Sequence, residues 1–163
     1  MRIAVPALAL LSAVPASAAG VTVSVEIPKL DVAEYHKPYL AIWIEKSDQS
    51  VAANLAVWYG TKLKENEGEK WLKDLRQWWR RAGRDLKMPI DGVSGPTRAP
   101  GTETVTATPT LEPGSYSLVV EAARESGGRE VVKVPFTWPA EAATSASGAG
   151  TSELGAIKLD IQP

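Results

Sequence analysis

The chain has 163 residues, 18 basic and 19 acidic side chains, a formal net charge of −1 and no cysteine. That length is the size of one domain, and the balanced charge argues against a nucleic-acid partner. The lack of cysteine excludes disulfides and thiolate chemistry, while a single histidine, His36, and two methionines speak against a dedicated copper, zinc or haem site.

Read in chain order, the N-terminus has the pattern of a secretory signal. Arg2 is followed by an apolar stretch, Ile3 to Val14, too short to span a bilayer, and then by the small-residue site Ala16-Ser17-Ala18. Residues 1–18 are expected to be a removable signal peptide, with a single domain over residues 19–163. No cysteine follows the site, so a lipid anchor is not expected. No later apolar run is long enough to cross a membrane, so the exported protein is expected to be periplasmic and soluble.

The body of the chain reads as strands. Val21 to Ile27 alternates apolar and polar with a period of two, as a half-buried strand does. Tyr39 to Glu45 is richer in aromatic and branched residues and is expected to be central. The turn cluster Ser47-Asp48-Gln49-Ser50 leads into Leu55 to Tyr59, giving a hairpin expected to bring Trp43 near Trp58. Further strands are predicted at Glu103 to Thr108, Ser115 to Ala123, Val131 to Trp138 and Leu154 to Ile161, separated by turns at Glu112-Pro113-Gly114 and Ser126-Gly127-Gly128. This spacing predicts a mainly β fold, an antiparallel sandwich of the immunoglobulin or fibronectin type III kind. The Pro-Gly turn before the strand carrying Tyr116 resembles a strand start common in such domains.

One amphipathic helix, at about residues 66–87, is expected as an insertion. Asn66 is the candidate cap with Glu69 three residues on, and Gly83 or Met88-Pro89 ends it. Trp71, Leu72, Leu75, Trp78, Trp79 and Ala82 recur at helical spacing as one apolar stripe. Trp71, Leu75 and Trp78 are read as the face of a lid over an edge or open end of the sandwich. Adjacent Trp78 and Trp79 cannot point the same way, which leaves one of them for a groove. Ala140 to Ser152 is small and of low complexity and reads as a flexible loop. Arg124 and Glu125 are expected to pair. Asp31, Glu34 and His36 lie close in sequence but lack the ligand count of a metal site, and no catalytic constellation is apparent.

Taken together, YLAIWIEKSDQSVAANLAVWYG, EKWLKDLRQWWRRAG, DGVSGPTRAPG, LEPGSYSLVVEAARESGGRE and ELGAIKL resemble domain of unknown function 2271, a family of predicted periplasmic proteins. The resemblance covers Val21 to Ile161. It implies no enzymatic activity. It implies instead a setting beside membrane-anchored PepSY-type reductases, flavin transferases and iron-uptake receptors.

Within that setting, Asp91-Gly-Val-Ser94-Gly95-Pro96-Thr97 resembles the flavinylation motif Asp-x-x-Ser/Thr-Gly-Ala-Thr of FMN-binding quinone-reductase subunits. The resemblance implies FMN esterified on Thr97, with Asp91, Ser94 and Gly95 completing the motif. Pro96 departs from the usual alanine, and Ala99 stands where a second hydroxyl is usual. A plain helix-to-strand turn accounts for the same residues. Two functions follow. The first is a cofactor-free, non-enzymatic accessory module that docks on a membrane reductase or iron-uptake receptor through Arg76, Trp78, Trp79 and Arg80. The second is an electron carrier with FMN on Thr97.

Overall fold

The computed structural model describes residues 18–163, so all but the last residue of the expected signal peptide lies outside the described residues. Nine strands form: β1 (Gly20–Ile27), β2 (Tyr39–Lys46), β3 (Val51–Tyr59), β4 (Ser94–Pro96), β5 (Gly101–Ala107), β6 (Gly114–Ala123), β7 (Arg129–Trp138), β8 (Thr144–Ala149) and β9 (Ala156–Gln162). One sheet has the order β5-β1-β9-β8 and the other β4-β3-β2-β6-β7. All pairings are antiparallel except β3 with β4, which is parallel.

All seven predicted strands are present, and their alternation sets the main core. Val21, Val23, Val25 and Ile27 of β1 and Ile157, Leu159 and Ile161 of β9 face Leu40, Ile42 and Ile44 of β2 and Leu118, Val120 and Ala122 of β6. The small residues read as a flexible loop instead include β8. Ala146 packs on the core, and Gly148 allows close approach to β7, since a Cβ there would lie 3.1 Å from Val134. At the start of β6 the Tyr116 hydroxyl donates to the Glu112 carbonyl at 2.6 Å.

β2 is central, as its composition predicts, and is buried on both faces. Its second face is covered by the inserted segment, which lies on the outer face of the five-stranded sheet and not across an edge or end. Trp43 and Trp58 therefore do not meet. Trp58 joins the core between the sheets, whereas Trp43 points outward into a second core with Ala41, Val57, Tyr59, Val119, Leu72, Leu75 and Trp78. A shift in register after Ile42 sets Trp43 opposite Asn54.

The insertion is not one helix. It is a 310 run over Lys64–Asp74, a short helix α1 (Arg76–Arg81) and a 310 turn at Gly83–Asp85. Asn66 does not cap it: Glu65 and Asn66 have φ of 53° and 56° and break the run near its start. Leu72, Leu75 and Trp78 are fully buried. Their spacing of three residues matches the 310 period, in which i and i+3 eclipse. On that period Trp71 rotates away from the core, and it is 50% exposed. Gly83 is needed under the Trp78 ring, where a Cβ would fall 2.5 Å from ring carbon.

Leu75 precedes α1 and offers no polar group to its free amides. Glu121 of β6 caps the helix in its place. Its carboxylate accepts from the amides of Gln77 at 3.0 Å and Trp78 at 2.7 Å, and from Arg129 Nε at 2.8 Å. The Trp78 indole N–H donates to Asn54 at 2.9 Å.

A second carboxylate closes the β8–β9 turn. Glu130 accepts from the amides of Thr151, Ser152, Glu153 and Leu154 and from the Thr151 hydroxyl. Burial alone would raise its pKa, but these donors together bring it down to about 2, from an ordinary 4.5. A depressed carboxylate stabilises the fold fully above its unfolded pKa. That stabilisation is lost as pH falls from about 4.5 through about 2. Glu130→Gln is therefore expected to lower stability near pH 7 and to flatten its loss across that acid window, as measured by urea unfolding at stepped pH. An unchanged acid limb would show that Glu130 carries no such linkage.

Candidate functional site

The loops at one end of the sandwich enclose a cleft of about 820 Å³. Tyr35, His36 and Lys37 come from the β1–β2 loop, Tyr39 from the start of β2, Gly60 and Leu63 from the turn after β3, and Trp71, Asp74 and Arg76 from the insertion. Thr97 comes from the β4–β5 connection and Ala123 to Arg129 from the β6–β7 turn.

Close backbone packing fixes the wall that carries Trp71. Gly68 sits against the end of β3, where a Cβ would lie 2.1 Å from the Gly60 carbonyl oxygen. Tyr39 pins the same place by donating to the Gly68 carbonyl at 3.0 Å. Leu63, 48% exposed, and Trp71, 50% exposed, stand out on this wall. The Lys73 ammonium lies 5.9 Å from the Trp71 ring centroid.

Another part of the lining is held by ion pairs to buried carboxylates. Arg124 pairs with Glu153, not with Glu125 as its neighbours in sequence imply. Its Nε donates at 2.8 Å and its Nη2 at 3.1 Å, and the Gly128 amide adds a third bond to Glu153. Gly127 lies over the guanidinium, where a Cβ would meet it at 2.3 Å. Arg129 is held by Glu121. His36 lies 3.1 Å from Glu34 and 3.6 Å from Glu125. The Tyr35 hydroxyl is buried with no hydrogen-bond partner among the described residues, and burial pushes its pKa up.

The four residues of the flavinylation-like motif do not converge on one point. Asp91 is exposed in a turn that Gly92 makes possible with φ of 72°. Ser94 uses its hydroxyl inside that turn, accepting from the Ile90 amide at 2.8 Å. Gly95 lies against Trp58, with 3.3 Å left for a Cβ, and the Arg98 guanidinium stacks on the same indole at 5.0 Å. Pro96 ends an edge strand, where a missing N–H is tolerated. Thr97 donates its amide to the Tyr59 carbonyl at 3.2 Å, and it alone of the four lines the cleft.

The four residues assigned to partner contact also separate. Trp78 is fully buried and has no surface to offer a partner. Trp79 is half-buried and packs beside the second core. Arg76 lines the large cleft, while Arg80 lines a shallower depression of about 580 Å³ with Gln49, Arg81 and Asp85. Sequence reasoning assigned Trp71 to the core and passed over Leu63, Lys37, Tyr35 and Arg129. A strict spacing of three at Leu72, Leu75 and Trp78 is the one signal that frees Trp71 for the surface.

These placements separate two tryptophans that a single stripe had grouped. Trp78→Ala is expected to cost about 3–5 kcal/mol, as large core truncations do, and Trp71→Ala less than about 0.5 kcal/mol, as at a surface site. Urea unfolding of the two variants checks this, and equal losses would mean that Trp71 belongs to the core.

Among the described residues, no helix is long and apolar enough to cross a membrane, and no cluster of three or more His, Cys, Asp or Glu side chains has metal-binding geometry. Comparison with curated proteins and with solved structures gave no match. The family described as predicted periplasmic protein, domain of unknown function 2271, matches residues 20–156. The match spans every strand but most of β9, the second core and the whole cleft lining, and the chain belongs to this family of periplasmic proteins.

Proposed function

We propose that the protein is a non-enzymatic periplasmic binding module of immunoglobulin type, which meets its partner with the loop end of the sandwich. The fold reading is supported by the β3-β2-β6-β7 order of one sheet. It is also supported by Tyr116, whose bond back to Glu112 at the start of β6 has the form of a tyrosine corner. The functional reading rests on one observation: Leu63 and Trp71, about half exposed, stand on the wall of the same cleft as Arg76. Aromatic and arginine side chains are the usual anchors of protein interfaces. The setting implied by the family makes a membrane-anchored PepSY-type reductase or an iron-uptake receptor the partner of choice.

A photo-crosslinking residue placed at Leu63 or Trp71 in the native periplasm should capture a membrane redox protein or receptor. One placed at Lys158, on the outer face of the other sheet, should not. Equal capture from all three positions, or none from the cleft, would remove the docking reading.

A second reading has its own support, since Thr97, the final residue of the flavinylation-like motif, lines this cleft. The cleft volume lies in the range that holds a cofactor-sized ligand. In this reading a transferase moves the FMN phosphoryl group of FAD to the Thr97 hydroxyl. AMP leaves, and the hydroxyl proton is released. Arg76 and Lys37 would balance phosphate charge, and Trp71 and Tyr39 would flank the ring system. Bound flavin would supply reversible electron transfer. Protein co-expressed with an active flavin transferase should then gain the mass of one FMN group, kept in Thr97→Ser and lost in Thr97→Ala. An unmodified mass beside a flavinylated control substrate would rule this reading out.

A further inference from the structure

The groups lining the cleft divide into committed and spare ones. Arg124 spends Nε and Nη2 on Glu153, and Arg129 spends Nε on Glu121. Lys37 and the Arg76 guanidinium have no ion-pair partner among the described residues. The facing carboxylates are Asp74 and Glu125, of which Glu125 lies beside His36. Lys73 adds a further cation at the Trp71 ring. The Tyr35 hydroxyl is buried and lacks a partner among the described residues.

We propose that the cleft binds a small flat aromatic anion, with its ring on Trp71 and its anionic group on the Arg76 guanidinium. The ring is argued from an indole that keeps 50% of its surface in solvent on the wall of a cavity of about 820 Å³. The anion is argued from a planar guanidinium fork with no competing carboxylate partner, which suits carboxylate, sulfonate or phosphate oxygens. Lys37 and Lys73 favour the same sign of charge. The inference rests on the cleft being the working face. It requires neither a protein partner nor a modified Thr97.

The test uses the purified mature protein alone, so its failure is separate from a failure of crosslinking in the periplasm. Naphthalene-2-sulfonate is the probe, with 2-naphthalenemethanol as neutral ring and methanesulfonate as ringless anion. Binding is read by calorimetry and by the indole N–H resonances, with that of Trp71 assigned from Trp71→Phe. The sulfonate should bind saturably and shift the Trp71 resonance, and both comparators should bind more weakly. Arg76→Ala should weaken the sulfonate by about tenfold and erase its advantage over the alcohol. Trp71→Ala should lose binding, whereas Arg80→Ala on the other depression should match wild type. Equal binding of sulfonate and alcohol to wild type, full binding by Trp71→Ala, or no saturable shift at millimolar sulfonate would each overturn the proposal.

Discussion

Glu121 is a carboxylate with no solvent exposure, facing out from β6 into a layer of tryptophan and leucine. Burying such a charge costs several kcal/mol unless hydrogen bonds and a counter-charge replace water. Here two helix amides and one guanidinium do so. The arrangement settles three matters together. It starts α1 where Leu75 cannot, it clamps the insertion to β6, and it sets Arg129 at the rim of the cleft. Arg76 immediately precedes the two capped amides, so a single carboxylate helps fix two residues that line the cleft. The geometry of the cleft is therefore tied to the packing of Trp78, although Trp78 does not line it.

The same device recurs around the loop end. Glu153 holds Arg124 and the Gly128 amide beneath the β6–β7 turn, and Glu130 gathers four amides of the β8–β9 turn. Glu26 of β1 adds the amide of Ala156. A chain without cysteine cannot staple its loops with disulfides, and here acidic side chains take that part. Glu121 and Glu130 accept from several backbone donors at once, which orders a loop more tightly than a surface ion pair does. Glycines at 68, 127 and 155 let backbone or charged groups approach where a Cβ would collide.

Much of the fold was legible because a strand with one buried face must alternate, as β1 and β9 do. The continuous apolar run of β2 equally announced a strand covered on both sides. The insertion was harder. Leu72, Leu75 and Trp78 fit a helical stripe and a 310 run almost equally well, and only the second turns Trp71 outward. β8 escaped notice because Ser-Ala-Ser-Gly-Ala alternates without any large side chain. Its pairing is decided by β9 and by the room Gly148 leaves for β7. The three residues of β4 carry no signal, since their parallel partner lies far away in sequence. The cleft was illegible for the same reason. Its lining comes from five separated segments, and no local period relates Tyr35 to Trp71 or Thr97.

The motif-like loop shows how one stretch can serve two demands. Gly92 supplies a positive φ, Ser94 a hydroxyl that closes the turn, and Gly95 the space for Arg98 on Trp58. Those structural roles explain small and hydroxyl residues without any chemistry. Thr97 differs. Only its backbone is used, by the Tyr59 carbonyl, and its side chain has no hydrogen-bond partner among the described residues. Pairing of β4 with β3 carries that residue to the cleft as a direct result of strand register. The register sets Thr97 on the lining of the cleft that Trp71 and Arg76 also line, although the three residues come from separate elements.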